Sequence, residues 1–200
     1  MESPAVWGMA LLFASGRHRQ SLPAAVFLFL WLAHYVRRTL VYPFRLPPAA
    51  RPLPLLIVVS AFLFQLVNVY LNGRWLFELG PERPDAWLLD PRFLAGAVLF
   101  VAGSFVNRRA DAELLRLRAA GPGYRIPEGG LFRWISCPHY LGEIVLWIGW
   151  AVATWCLPAL LFALWTIANL APRARSHHRF CRERIAGYPR ERKVLLPGLW

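Results

Sequence analysis

Six apolar runs, bounded by short connections rich in arginine and proline, leave this chain few ways to fold. In hydrocarbon every backbone N–H and C=O must find a partner inside the protein, so such runs become helices. They extend from about Ala5 to Ala14, Leu22 to Tyr42, Leu53 to Leu71 and Phe93 to Val106, and then from Pro138 to about Ala171 with an interruption at Leu157-Pro158. Pro158 removes a helix donor, and the last run is long for one span, so two helices in a tight hairpin are predicted, with one kinked helix as the alternative. The first run is about half the roughly 20 residues a crossing needs, so it must borrow flanking residues, lie obliquely or be re-entrant. With 57% hydrophobic residues, ten Trp and thirteen Phe among 200, an ordinary soluble domain is excluded. The predicted class is all-α: a polytopic transmembrane helical bundle with a basic C-terminal tail, forming one membrane-embedded domain over 1–200.

The formal net charge is +12, but the cations sit in connections between apolar runs. That fits positive-inside loops, anionic head groups or a phosphate-bearing cofactor, and no nucleic acid is expected. If the segments alternate, the linker near Arg45, the connection from Arg109 to Arg133 and the tail share one side, read as cytoplasmic. The connection Gly73 to Pro91, which lacks the basic excess of the others, lies opposite; Arg17-His18-Arg19 falls on the wrong side. The expected location is a multi-pass integral membrane protein of the bacterial inner membrane or the endoplasmic reticulum, with a cytoplasmic C-terminus. No charged region precedes the first run, which argues against a cleavable signal peptide. Cys137, Cys156 and Cys181 form no paired framework.

Several polar groups enter these greasy segments. His34, Tyr35 and Arg38 can share a helix face, although Tyr and Arg at a segment end are also ordinary interfacial anchors. Gln65, Asn68 and Asn72 recur at helical spacing as one stripe, either interhelical glue or a cavity wall. Asn107 and Asp111 lie four apart where the fourth segment ends, followed by Arg116 and Arg118. Acid, amide and guanidinium together suit ribose hydroxyls and phosphates, but an ordinary basic juxtamembrane helix carries the same residues. From Tyr124-Arg125 the chain passes Pro127 and Gly129-Gly130 to Ser136, His139, Tyr140 and Glu143. If a helix starts near Pro138, His139 and Glu143 share a face; alternatively Glu143 only complements the helix N-terminus and His139 is solvated. His177, His178 and Cys181 lack a second ligand pair, so no metal is expected. Nucleophilic elbow, zinc triad, P-loop and G-x-G-x-x-G motifs are absent.

Tyr124-Arg125-Ile126-Pro127-Glu128-Gly129-Gly130-Leu131-Phe132, then Ser136-Cys137-Pro138-His139-Tyr140-Leu141-Gly142-Glu143, resemble the C-terminal signature of the membrane steroid 5α-reductases. The closing stretch from His177-His178-Arg179-Phe180 through Tyr188-Pro189-Arg190-Glu191-Arg192-Lys193 to Leu196-Pro197 resembles that family's tail, and the signature region covers about 107–200. Several separated motifs in order are far more specific than one short match. The resemblance implies NADPH-dependent reduction of the Δ4 double bond of a 3-oxo-steroid. It also implies seven transmembrane helices, so this chain is expected to be a bacterial-type form lacking the first.

By that resemblance Tyr35, within His34-Tyr35-Val36-Arg37-Arg38-Thr39, and Glu2 polarise the ketone. Asn107, Asp111, Arg118, Tyr124, Arg125, His139, Glu143, His177 and Arg192 would hold NADPH, with Arg38 and Arg51 as helpers. A lipophilic steroid or similar enone would enter from the bilayer into a protein acting as a monomer among membrane lipids. Two positions depart from the family: Cys181 stands where an aromatic, usually tyrosine, is found, and His139 replaces an asparagine. Readings that share the architecture are trans-2-enoyl-CoA and polyprenol reductases and, more distantly, isoprenylcysteine methyltransferases. A reading from another class is a non-catalytic lipid-binding scaffold whose cations hold head groups.

Overall fold

The computed structural model describes residues 2–46, 54–121 and 123–200. Among these residues six α-helices follow one another: α1 Pro4–Ser15, α2 Leu22–Val36, α3 Leu55–Arg74, α4 Pro91–Ala119, α5 Pro138–Thr154 and α6 Leu157–Arg184. Among the described residues the only extended pairing is an isolated parallel bridge between Ile135 and Lys193. The fold is therefore all-α, as expected. Leu22–Arg45, Leu55–Leu79, Pro91–Ala119 and Leu157–Arg184 are long and apolar enough to cross a membrane. α1, with 12 residues, and α5, with 17, fall short of the roughly 20 that a perpendicular crossing requires. The described chain forms two compact units, Met1–Leu94 with Thr154–Ala159 and Ala95–Ala153 with Leu160–Trp200.

In the first unit α1 packs on α2 and α3. The fit is close because small residues face the partner helix: a side chain at Gly16 would run into the Phe77 carbonyl, and one at Gly73 into Leu12. Trp31 is fully buried and donates its indole N–H to the Ala5 carbonyl at 2.8 Å, which fixes α2 against α1. Both α2 and α3 run on into a π-helical turn, Arg37–Val41 and Trp75–Leu79. The connection expected to start at Gly73 therefore starts after Leu79. The stripe on α3 is buried and satisfies itself: Asn68 Nδ2 donates to Gln65 Oε1 at 3.1 Å, and Asn72 Nδ2 to Asn68 Oδ1 at 3.0 Å. Arg17, the charge on the wrong side of the positive-inside pattern, pairs with Glu78 at 3.1 Å, which neutralises it where it stands.

The second unit is built around a seam of four glycines. Gly96 and Gly103 on α4 meet Gly149 and Gly142 on α5, and a Cβ at any of them would collide with backbone of the opposing helix. Both pairs are spaced by seven residues, two helical turns, so the small positions stay on one face and the helices touch main chain to main chain. The predicted hairpin is present: α5 ends at Thr154, and Trp155 (φ +47°) and Cys156 turn the chain into α6, with Pro158 in its first turn. The last helix does not stop near Ala171, however. It continues through Pro172 to Arg184, because Ala174, His178 and Cys181 form a buried stripe that packs whether or not lipid surrounds it. The basic tail is thus partly helical, and its remainder folds back. Ser136 N donates to Lys193 O at 2.9 Å and Lys193 N to Trp134 O at 2.8 Å, with Val194 and Leu195 packed against Cys137 and Ala174.

Candidate functional site

The glycine seam explains the first cluster. Because backbone meets backbone where Gly103 faces Gly142, Asn107 comes to rest against the first turn of α5, and its Nδ2 donates to the His139 carbonyl at 3.0 Å and reaches Glu143 Oε2 at 3.5 Å. Asn107 and, one turn further along α4, Asp111 are both buried. Pro138 occupies the first helical position of α5, so His139 and Glu143 lie one above the other on its first two turns.

Beside this cluster lies a cavity of about 430 Å³ lined by Arg118, Tyr124, Arg125, Ser136, His139 and His177 among others. Arg125 donates to the Ala120 carbonyl at 2.7 Å, capping the end of α4 with one arm of its guanidinium. Tyr124 is held by Cys181, with its hydroxyl 3.0 Å from Sγ, and Cys181 lies 3.5 Å from His177 Nε2. Burial, reinforced by the Cys181 contact, pushes the Tyr124 phenol well above its ordinary range, so it stays neutral. The glycines Gly129 (φ +87°) and Gly130 (φ +50°) make the turn that carries the chain from this cavity towards α5.

Arg192 is placed differently. It lines a separate hollow of about 470 Å³ with Glu128, Arg133 and Glu191. Its guanidinium lies over the Tyr188 ring at 5.3 Å, and its Nε and Nη1 are buried without a partner.

The first unit holds the remaining residues. Glu2 and Arg38 form a two-point ion pair, with Nη2 to Oε1 at 2.9 Å and Nε to Oε2 at 3.2 Å. Tyr35 is buried one turn before Arg38, its ring 4.9 Å from Trp31 and 5.0 Å from His34. Arg51 lies outside the described residues. Of the residues that the resemblance assigns to the cofactor, five therefore line one cavity (Arg118, Tyr124, Arg125, His139 and His177), and Asn107 and Glu143 join them through the first turn of α5.

Sequence reasoning missed a buried network behind that cavity. Tyr188 OH donates to Ser136 Oγ at 2.7 Å, and Ser136 Oγ lies 2.6 Å from His178 Nδ1. Its members are 42 and 52 residues apart, so no local pattern could have joined them. The glycine seam was also missed, although its spacing of seven is visible in both segments. Among the described residues no group of three His, Cys, Asp or Glu side chains is disposed to hold a metal ion.

Residues 51–200 match the family described as 3-oxo-5-alpha-steroid 4-dehydrogenase. The whole chain is 40% identical over 203 residues to the steroid 5-alpha-reductase DET2 of Solanum lycopersicum, covering 79% of that protein. It is 42% identical over 205 residues to the DET2 reductase of Gossypium hirsutum, covering 80% of it. Over 178 residues, 88% of this chain and 68% of the relative, it is 41% identical to the 3-oxo-5-alpha-steroid 4-dehydrogenase 1 of Bos taurus.

Proposed function

The chain belongs to the 3-oxo-5-alpha-steroid 4-dehydrogenase family, and from that premise we propose that it is an oxidoreductase that uses NADPH to reduce the Δ4 double bond of a 3-oxo-steroid. The observation that carries the cofactor half of this reading is the cavity in the second unit, where Arg118 and Arg125 stand with Tyr124, His139 and His177. The donor set fits a phosphorylated dinucleotide. Guanidiniums grip phosphate oxygens at two points, while Asp111, Asn107 and Glu143, which lie outside the cavity lining, are assigned to the ribose and carboxamide groups by the family resemblance alone. A volume of about 430 Å³ is in the range of cofactor sites.

When bound, the nicotinamide would supply hydride to the β-carbon of the enone. Negative charge then develops on the ketone oxygen, and the chain must provide a donor preset at that point in a dry setting. Tyr35 is assigned that role. It is buried beside Trp31, and its neighbour Arg38 anchors the Glu2 carboxylate, the residue assigned to orient the phenol. An apolar steroid reaching the protein through the bilayer would suit the greasy composition of the first unit. The protein is taken to act as a multi-pass monomer among lipids, with its C-terminus on the cytoplasmic side where the arginine-rich connections gather.

The test is NADPH consumption by the purified full chain with testosterone or with a trans-2-enoyl-CoA. Turnover of the steroid alone is expected. Turnover of the thioester alone would move the protein to another reductase chemistry, and failure to bind NADPH would sink the proposal.

A further inference from the structure

We propose that Ser136 is a positioning residue for the cavity in the second unit: fastened between Tyr188 and His178, its hydroxyl locks the start of α5 to the end of α6, so that His139 and His177 keep the spacing that ligand binding needs. The proposal rests on the reading of that cavity as the dinucleotide site.

Ser136 is buried and stands in the cavity wall, two residues before α5 begins. Its neighbour Cys137 supplies the carbonyl that accepts from Tyr140 N at 3.1 Å and Leu141 N at 3.2 Å, the opening bonds of that helix. Whatever fixes Ser136 therefore fixes the direction in which His139 leaves the turn. On the other side, His177 and His178 are successive residues of α6 and point to different surroundings. His177 faces the cavity and Cys181, whereas His178 faces Ser136. Holding His178 sets the rotation of α6 about its axis, and with it the placement of His177.

The hydrogen bonds have an internal order. A serine hydroxyl carries one donor and two acceptor positions. Tyr188 donates to it at 2.7 Å, the imidazole Nδ1 sits at 2.6 Å, and the Lys193 carbonyl lies farther away at 3.2 Å while already accepting from Ser136 N at 2.9 Å. With Tyr188 donating to it, the hydroxyl gives its one proton to Nδ1 of a neutral His178 or to the Lys193 carbonyl according to the imidazole tautomer, and in either case it joins the three segments. The folded-back segment that brings Tyr188 and Lys193 to this point thereby braces two walls of the cavity. Neither Tyr188 nor His178 lines the cavity, so they act on a ligand through Ser136.

The experiment uses the full chain in detergent, with Ser136→Ala, Ser136→Thr and Tyr188→Phe. NADPH affinity, steady-state KM and kcat, and maleimide labelling of each cysteine by mass spectrometry are measured. Cys181 lies behind Tyr124 and His177 and is fully buried, so it reports on the α6 wall; Cys156, in the first unit, reports on general loosening. Ser136→Ala is expected to raise the NADPH dissociation constant about tenfold, equivalent to about 1.4 kcal/mol. It should raise the rate of Cys181 labelling by a similar factor, with Cys156 unchanged and kcat at saturating NADPH within about twofold. Tyr188→Phe keeps the ring and loses only the donor, and should show the same pattern at about threefold. Ser136→Thr keeps the hydroxyl and should restore both readouts. Unchanged affinity with Cys181 still protected would overturn the proposal, as would labelling of Cys156 that rises in step with Cys181. A wild-type chain that fails to bind NADPH while Cys181 labelling follows the expected pattern would instead remove the dinucleotide reading and leave the brace standing.

Discussion

At the level of single residues, the proposed reaction asks opposite kinds of contribution of Tyr35 and Asn107. A phenol aimed at developing charge matters only in the transition state. Tyr35→Phe should therefore cut turnover by about a hundredfold or more while leaving the NADPH dissociation constant within about twofold, as measured by titration. Asn107→Leu removes a buried amide that bonds the His139 carbonyl and reaches Glu143, so it should weaken NADPH binding about tenfold with a smaller effect on kcat. Cys137 offers a pH test. Desolvation pushes its thiol up to about 12, above its unfolded value, so its contribution to stability is complete below the unfolded pKa and is lost as pH rises towards 12. The thermal midpoint of Cys137→Ala should consequently fall less steeply between about pH 9 and 11 than that of the wild type; parallel slopes would show that the thiol plays no part. Tyr124 behaves alike in direction, so neither group supplies the acid limb of an activity profile.

At the level of elements, the decisive contact is the approach of α4 to α5. Gly142 carries it, since a Cβ there would meet the main chain of Asn107 and the Gly103 carbonyl rather than a side chain able to turn aside. Gly142→Ala should lower stability by about 1–3 kcal/mol and weaken NADPH binding at the same time, because the collision falls on the residue that joins the site. Gly8→Ala on α1 is the control: its nearest neighbour is a Val69 side-chain methyl at 3.0 Å, so the change should be mild and leave NADPH affinity untouched. Equal effects of the two substitutions on affinity, read from melting curves with and without NADPH, would refute this account. The amide ladder on α3 runs along a single helix, Asn68 serving Gln65 and Asn72 serving Asn68.

For the molecule as a whole, hydrophobic run length located the six helices of the described residues, because backbone in lipid must be helical, and at Pro158 the hairpin rather than the kinked-helix alternative is found. The continuation of α6 past Pro172 was not legible by the same logic, since a hydropathy criterion ends where the helix leaves apolar surroundings, while the buried stripe of Ala174, His178 and Cys181 goes on. The cavity residues from Arg118 to His177 were found because contiguous motifs hold most of them. Arg192 lines a different hollow with its guanidinium over the Tyr188 ring, a placement that the order of residues in their shared motif does not reveal. The folded-back terminus leads to a truncation test. Ending the chain after Arg190 deletes the Lys193 bridge and the packing of Val194 and Leu195, so the shortened protein should melt lower and lose NADPH binding. Retention of both would show the terminus to be ornamental.

The bare meeting of α4 and α5 has a mechanical corollary. Where the glycines meet, the two helices have only main chain to slide on, so this wall behaves as a fixed anvil, and any opening that admits or releases the proposed dinucleotide falls to the stretch between 123 and 136 or to the far end of α6.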